Sequence, residues 1–334
     1  MEIIKTKPGD QNFHFFENIP EQLYPVNSIR HKQAESINME FLVACYVLTL
    51  NGEVKARAAL YNNPHLVYDK KRSFCIGNYE SVNDLKVSEK LMNFIVSEAR
   101  KSGADFLIGP MNGSTWDNYR FSVHHQHANF LLEPYHHLYY NEHFFSSGFK
   151  TISNYTSSID KDLHHDHPNV LKLDINFLQA GLTIRNIDMS NYERELKKLY
   201  PFISSAFKNN FLYTPISWEA FYKKYMEAAK IINPEYVLIA EDVQRNIKGF
   251  IFCYDDLLSK NEKKIVIKTI AREKSKELSG LGHAMANRIL QLVKNRNYQS
   301  IIHAFMIEQG TSTGVSENFF GTIYKNYALY GKEI

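Results

Sequence analysis

The chain has 334 residues, a length for two ordinary domains, each large enough to bury its own core. Hydrophobic residues make up 44% and charged residues 22%, which excludes a disordered chain, and the longest apolar runs, such as 41–50, are too short to span a bilayer. With 39 basic against 36 acidic residues the net charge is only +3, which gives no footing for a nucleic-acid partner.

The first residues hold no basic segment followed by an apolar one, so no leader is expected. Cys45, Cys75 and Cys253 lie far apart in separate apolar runs, without the spacing of a metal site or a disulfide framework. Buried reduced thiols in a cytoplasmic protein, away from membranes, are the expectation.

In chain order, 41–50 and 54–62 read as two strands joined by Asn51-Gly52, a pair that tolerates positive φ and so suits a tight hairpin. A third strand is expected over 73–79. Val87, Leu91, Phe94, Ile95 and Ala99 then recur at helical spacing over 87–101, with Asn83-Asp84 as the cap and Ser102-Gly103 as the stop. A short strand at 106–108, a helix at 135–146 ended by Gly148, and a strand at 149–159 complete the first half. The polar, proline-bearing stretch 160–170 reads as the domain linker.

The second half repeats the order. A strand over 182–188 precedes amphipathic helices at 193–207 and 218–232, the latter capped by Ser217. Paired strands at 236–241 and 247–254, a strand at 264–271, a helix at 281–293, a strand at 300–307, a short helix at 314–320 and a strand at 324–330 follow. The repeated order suggests internal duplication, by pattern rather than by identity.

One segment carries recognisable chemistry. The strand Ile265–Ala271 leads through a connector to Gly280-Leu281-Gly282, which opens a helix. Glycines let a backbone approach a phosphate, and the N–H groups of a helix start point at it, in a favourable field. Such a turn suits a diphosphate-bearing ligand, and it equally suits a plain strand-to-helix turn.

The run 267–282 with its helix resembles the coenzyme A motif of the GNAT acetyltransferase superfamily, and the strand and helix after it fit through Tyr327–Lys332. The stretches 77–84, 109–115, 134–140 and 147–149 resemble the N-terminal part of two-domain GNAT-like proteins. The resemblance covers most of 40–334. It implies an α/β (α+β) chain of tandem GNAT-like folds, each a mixed, mostly antiparallel sheet flanked by helices. The implied domains are 1–160, a linker over 161–180, and a coenzyme A-binding domain over 181–334.

By the same resemblance, the amides of Leu278, Ser279, Gly280, Leu281, Gly282 and His283 would bind the coenzyme A pyrophosphate. The backbone of Thr269, Ile270 and Ala271 would pair with the pantetheine arm where the strand splays from its neighbour. The sequence departs from the motif at Glu277, where an Arg or Gln is usual, and at Phe319-Phe320, where many members place a tyrosine acid. Tyr324 and Tyr327 are the candidate hydroxyls for catalysis, and no carboxylate within 265–271 offers a base. The first half lacks a glycine turn, so acetyl-CoA or another acyl-CoA is expected only in the second. Asn112, Ser114, Trp116 and Asp117, after a strand end, are candidates to wall the acceptor site.

His124, His125, His127, His136, His137 and His143 cluster in the first half, and His164, His165, Asp166 and His167 in the linker. None pairs with a Glu at helical metal-site spacing, so no metal is expected. The implied activity is transfer of an acyl group from coenzyme A to an amine on a small molecule or peptide. The alternative is an inactive acyl-CoA-binding or sensor protein. An acyl-tRNA-dependent transferase would want a basic channel, which the charge balance does not favour.

Overall fold

A strand that the sequence hardly announces, β1 (Glu2–Thr6), pairs antiparallel with β2 (Leu42–Leu50). Between them α1 (Phe13–Leu23) buries Phe13, Phe16 and Ile19, one turn apart on one face. Asn51 and Gly52 take left-handed backbone, φ 53° and 84°, and join β2 to β3 (Glu53–Tyr61) in the expected hairpin. After β4 (Val67–Tyr68), β5 (Lys71–Ser81) adds antiparallel to β3.

The expected helix is α2 (Leu85–Lys101). The Asp84 carboxylate accepts from the N–H groups of Lys86 (2.8 Å) and Val87 (3.4 Å). Gly103, at φ 84°, ends it. Its stripe of Val87, Leu91, Ile95 and Ala99 packs with Ala56, Ala58 and Leu60, and the small strand side chains let the helix lie close to the sheet. Each fully buried Leu or Ile in such a stripe contributes about 1.5–3 kcal/mol.

β6 (Phe106–Gly109) runs parallel to β5, and β7 (Phe121–Ser122) follows. The helix expected over 135–146 is only α3 (Tyr140–Ser146). Ahead of it the His136 and His137 carbonyls accept from the rings of His125 (3.0 Å) and His136 (3.1 Å), so these residues hold side chains instead of a helical turn.

The structure is a computed structural model that describes residues 1–26, 28, 36–164, 168–308, 316 and 321–334. Apart from Ser316, the helix expected over 314–320, with Phe319-Phe320, and His165-Asp166-His167 of the expected linker lie outside the described residues. Two compact units emerge: Met1–Asn154, Phe211–Thr214 and Lys325–Ile334 form the first, and Tyr155–Asn210 with Pro215–Tyr324 the second. These bounds differ from the sequence expectation of 1–160 and 181–334, because closing strands are exchanged. β8 (Lys150–Asp160) pairs through Tyr155–Asp160 with a strand of the second unit, β13 (Ser300–Ile307). The end of the last strand, β14 (Thr322–Glu333), pairs with β6 of the first, Tyr330 opposite Gly109.

Within the span read as linker, α4 (Pro168–Gln179) packs Leu173 and Phe177 into the second unit's core. That core lies between α4, α7 (Leu281–Lys294) and the sheet β9 (Thr183–Asn186), β10 (Val237–Glu241), β11 (Ile247–Asp255), β12 (Lys264–Arg272), β13 and β8. All pairs are antiparallel except β12 with β13. The first unit's order, β1-β2-β3-β5-β6-β14, likewise has one parallel pair, β5 with β6. α5 (Tyr192–Phe207) and α6 (Trp218–Ala228) complete the second unit. Ser217 caps α6 through the Ala220 N–H, and the helix ends short of the expected Ile232.

Candidate functional site

β12 meets β13 in register only from Lys264 opposite Ser300 to Ile267 opposite His303. On its other edge it follows β11 to its end, Arg272 opposite Gly249, with one irregularity: Phe252 faces Thr269 and Cys253 faces Ile267, so Lys268 is an extra residue. A bulge of this kind bends a strand and raises its twist. β13 is irregular at the same level. Its register with β8 shifts between His303 and Met306, and Phe305 has φ 58°. The two parallel strands therefore part beyond Ile267. Thr269, Ile270 and Ala271 face the gap with no β13 partner among the described residues. At its mouth the Lys268 ammonium lies 4.1 Å from the centroid of the Phe305 ring.

The connector after β12 is tied down at both ends. Arg272 Nη1 donates to the carbonyls of Glu273 (3.0 Å) and Ser275 (3.2 Å), and the Glu273 carboxylate pairs with Lys248 Nζ at 2.8 Å. Leu278 is sunk in the core. Gly280 stands at the N-cap with φ 89°, where an added Cβ would sit 2.8 Å from Leu173 Cδ1. The left-handed backbone demands glycine, and a Cβ would in addition push the end of the Leu173 side chain aside. A Cβ on Gly282 would come 3.3 Å from Ile270 Cγ2, so the helix start lies against the unpaired strand edge. No side chain caps α7; the Leu281 N–H donates to the Leu278 carbonyl at 3.1 Å and the Ser279 N–H to the Lys276 carbonyl at 3.0 Å, so the turn is held by its own backbone. Leu281, Gly282 and His283 form that turn; Ser279 and Leu278 precede it. Glu277 is exposed, and hydrogen bonds from its own amide and Ser275 hold its carboxyl below the usual range.

His303, which sequence reasoning passed over, stands at the last paired position before the gap. Burial pulls its imidazole down to about 4, so the ring is neutral at pH 7. A lone histidine within the apolar strand 300–307 was the only sequence signal. Lys268 could not be singled out, since a bulge is defined only by the partner strand.

The first unit has the same divergence and closes it. β5 and β6 pair from Ser73 opposite Phe106 to Cys75 opposite Ile108, and β5 then bulges at Asn78, φ 47°. Here the chain itself enters the gap. Met111 N–H donates to the Ile76 carbonyl, and Asn112 Oδ1 accepts from the Asn78 N–H, both at 2.8 Å. Gly77 is needed for this approach, since a Cβ there would fall 2.3 Å from Asn112 Oδ1.

The candidate acceptor residues of this loop are brought together, but mostly bind one another. Asn112 and Ser114 are buried. Ser114 Oγ (3.1 Å) and Asn38 Nδ2 (2.8 Å) both donate to Asp117 Oδ2, and Trp116 Nε1 donates to the Thr214 carbonyl (2.9 Å). The adjoining cavity, beside Asn78, Arg120 and His136, measures about 20 Å³, room for a single water.

Of the two candidate catalytic hydroxyls, Tyr327 lies in the first unit, is 1% exposed, and donates to Glu133 Oε1 at 3.0 Å. Glu133 Oε2 is 3.0 Å from the equally buried Lys325 ammonium. Burial drives the Glu133 carboxyl up and the Lys325 ammonium down, and their mutual attraction opposes both shifts. Tyr324 is buried in the second unit. The first-half histidines serve the fold: His136 Nε2 accepts from the Ser122 N–H at 2.7 Å, and His143 Nδ1 bonds the Tyr79 hydroxyl at 2.8 Å. Among the described residues no three His, Cys, Asp or Glu converge as a metal group, and no helix is long and apolar enough to cross a membrane.

No family model matches the sequence, and no curated protein matches it either. Solved structures do. The glucosamine N-acetyltransferase region of a fungal multi-domain β-N-acetylglucosaminidase superposes with TM-score 0.61 at 14% identity, over 99% of this chain and 38% of that one. This chain thus spans little more than a third of the fungal protein. A GCN5-related N-acetyltransferase from Sphaerobacter thermophilus superposes at 0.54 and 12% identity, over 99% of this chain and 95% of that one. A tandem GNAT protein of the clavulanic acid biosynthesis pathway gives 0.54 at 10%, over 99% and 98%. The chain has the tandem GNAT fold.

Proposed function

We propose that this tandem GNAT-fold chain is an N-acyltransferase, which draws an acetyl or other acyl group from coenzyme A in its second unit and passes it to an amine of a small molecule or peptide. The observation that carries the reading is the unpaired edge of β12 set against an uncapped, glycine-shaped helix start. The Gly280–His283 amides would receive the pyrophosphate, and the helix field favours its charge. The edge Thr269–Ala271 would receive the pantetheine arm as a further strand partner receives a strand.

The thioester carbonyl would then lie along that edge, where an N–H of Ile270 or Ala271 stabilises the oxyanion formed on attack by the amine. Collapse breaks the carbon–sulfur bond, and the thiolate leaves with a proton. The amine must be neutral to attack, so its proton goes to a base or a water chain. His303 stands beside the gap, but burial pulls its imidazole down to about 4, which makes it a weak acceptor for that proton.

Calorimetric titration with acetyl-CoA tests the reading. Binding well below about 1 mM is expected, and absence of binding at that concentration sinks it. Glu277 in place of a cationic or amide side chain favours the second reading, an acyl-CoA-binding protein without chemistry. Thioester loss in the presence of an amine panel separates the two: the first reading expects amine-dependent release of thiol, and the second expects binding alone.

A further inference from the structure

A second concave feature of the second unit has no role in the scheme above. It is a groove of about 840 Å³ between the C-terminal half of α5, the β10–β11 turn and the start of the connector after β12. That volume falls within the roughly 300–1,000 Å³ of small-molecule sites. Pro201, Phe202 and Ile247 supply an apolar wall. Its charges are one-sided. Glu273, the acid of the lining, is already paired with Lys248 at 2.8 Å. Lys198 is 3.7 Å from Glu241, a carboxylate that Arg185 also holds at 2.7 Å.

Lys208, Arg245, Arg272 and Lys274 remain. Among the described residues, Arg272 donates to the Glu273 and Ser275 carbonyls and makes no ion pair, so no carboxylate there offsets its charge. Arg245 feels Glu241 through its field, without an ion pair among the described residues. Lys208 and Lys274 are exposed and make no ion pair among the described residues. Uncompensated cations around a bounded, partly apolar hollow are matched by an anion of more than one charge joined to an apolar body.

We propose that this groove binds a small organic phosphate, its phosphoryl group among Lys208, Arg245, Arg272 and Lys274 and its apolar part against Pro201 and Phe202. The proposal goes beyond the acyl-transfer reading and does not rest on it.

The test uses the full chain saturated with coenzyme A, so that the glycine turn is not the site being filled, and titrates phenyl phosphate. Binding is expected. It should weaken at least about tenfold in the double variant Lys208→Glu/Arg245→Asn, and as salt is raised. Asn is chosen because position 245 has φ 64°, which Asn tolerates. Phe202→Ala keeps the charges and should weaken phenyl phosphate while leaving inorganic phosphate unchanged.

Coenzyme A affinity should change less than about threefold in the double variant, since neither residue belongs to the 278–283 turn or to the 269–271 edge. No binding of phenyl phosphate, or equal binding by the wild type and a folded double variant, overturns the proposal. So does displacement of phenyl phosphate by a short oligonucleotide of higher affinity. Charge-dependent phenyl phosphate binding by a protein that ignores coenzyme A would support the groove and reject acyl transfer.

Discussion

The two strand-to-helix connectors of this chain solve one geometric problem in opposite ways. In the first unit β5 passes to α2 in a few residues, and the Asp84 carboxylate takes the first N–H groups of the helix. In the second, β12 passes to α7 through a longer connector that ends in a left-handed glycine with no side-chain cap. The strands beside them differ in the same sense: β5 and β12 both bulge and part from β6 and β13, but loop 110–120 fills the first gap with the Met111 backbone and the Asn112 side chain. A carboxylate at a helix start competes with an anionic ligand for the same donors. The tandem fold thus holds two frames, and a handful of residues distinguishes them.

The comparison can be broken most forcefully at Lys325. Lys325→Ala leaves Glu133 as a buried unpaired carboxylate, which costs about 3–5 kcal/mol of stability. Denaturant unfolding reads that loss, while acetyl-CoA affinity at 10 °C should hold if the first unit acts as scaffold. A folded variant that no longer binds acetyl-CoA would overturn that division of labour.

Next in size, Gly280→Ala forces a Cβ against Leu173 in a left-handed backbone and should weaken acetyl-CoA by about 30-fold or more, or about 2 kcal/mol. Unchanged affinity by calorimetry would remove the turn from the site.

Acid sharpens the comparison of the two cores, since each holds a neutral histidine pulled down to about 4, His143 in the first and His303 in the second. An unfolded imidazole protonates near 6.5. Between 6.5 and 4 the unfolded chain therefore takes up the proton first, and stability falls as pH drops through that window. His303→Gln should recover about 2 kcal/mol of this loss near pH 4.5, as a flatter unfolding profile. A profile as steep as that of the wild type would speak against a buried neutral ring.

Smallest is Asp84→Ala, which removes the α2 cap for about 1 kcal/mol of stability and should leave acetyl-CoA binding as it was. If it instead created a second binding event, the carboxylate alone would be what closes the first frame.

Local chemistry was enough for much of this. Asn51-Gly52 fixed a hairpin, Asp84 and Ser217 fixed helix starts, and Gly280-Leu281-Gly282 was legible as the turn that opens a helix, because each acts on neighbours a few residues away. The helix expected over 135–146 shrank to α3 because ring-to-carbonyl contacts from His125 and His136 override the helical pattern ahead of it, and α4 escaped notice because a polar, proline-led start hid the apolar pair Leu173 and Phe177. Tertiary structure alone decided the rest. The exchange of β8 and β14, the bulges at Asn78 and Lys268, the position of His303 beside the gap, and the groove at Arg272 all depend on strand register and on residues far apart in the chain. Register is a property of pairs of strands, and no single stretch of sequence contains it.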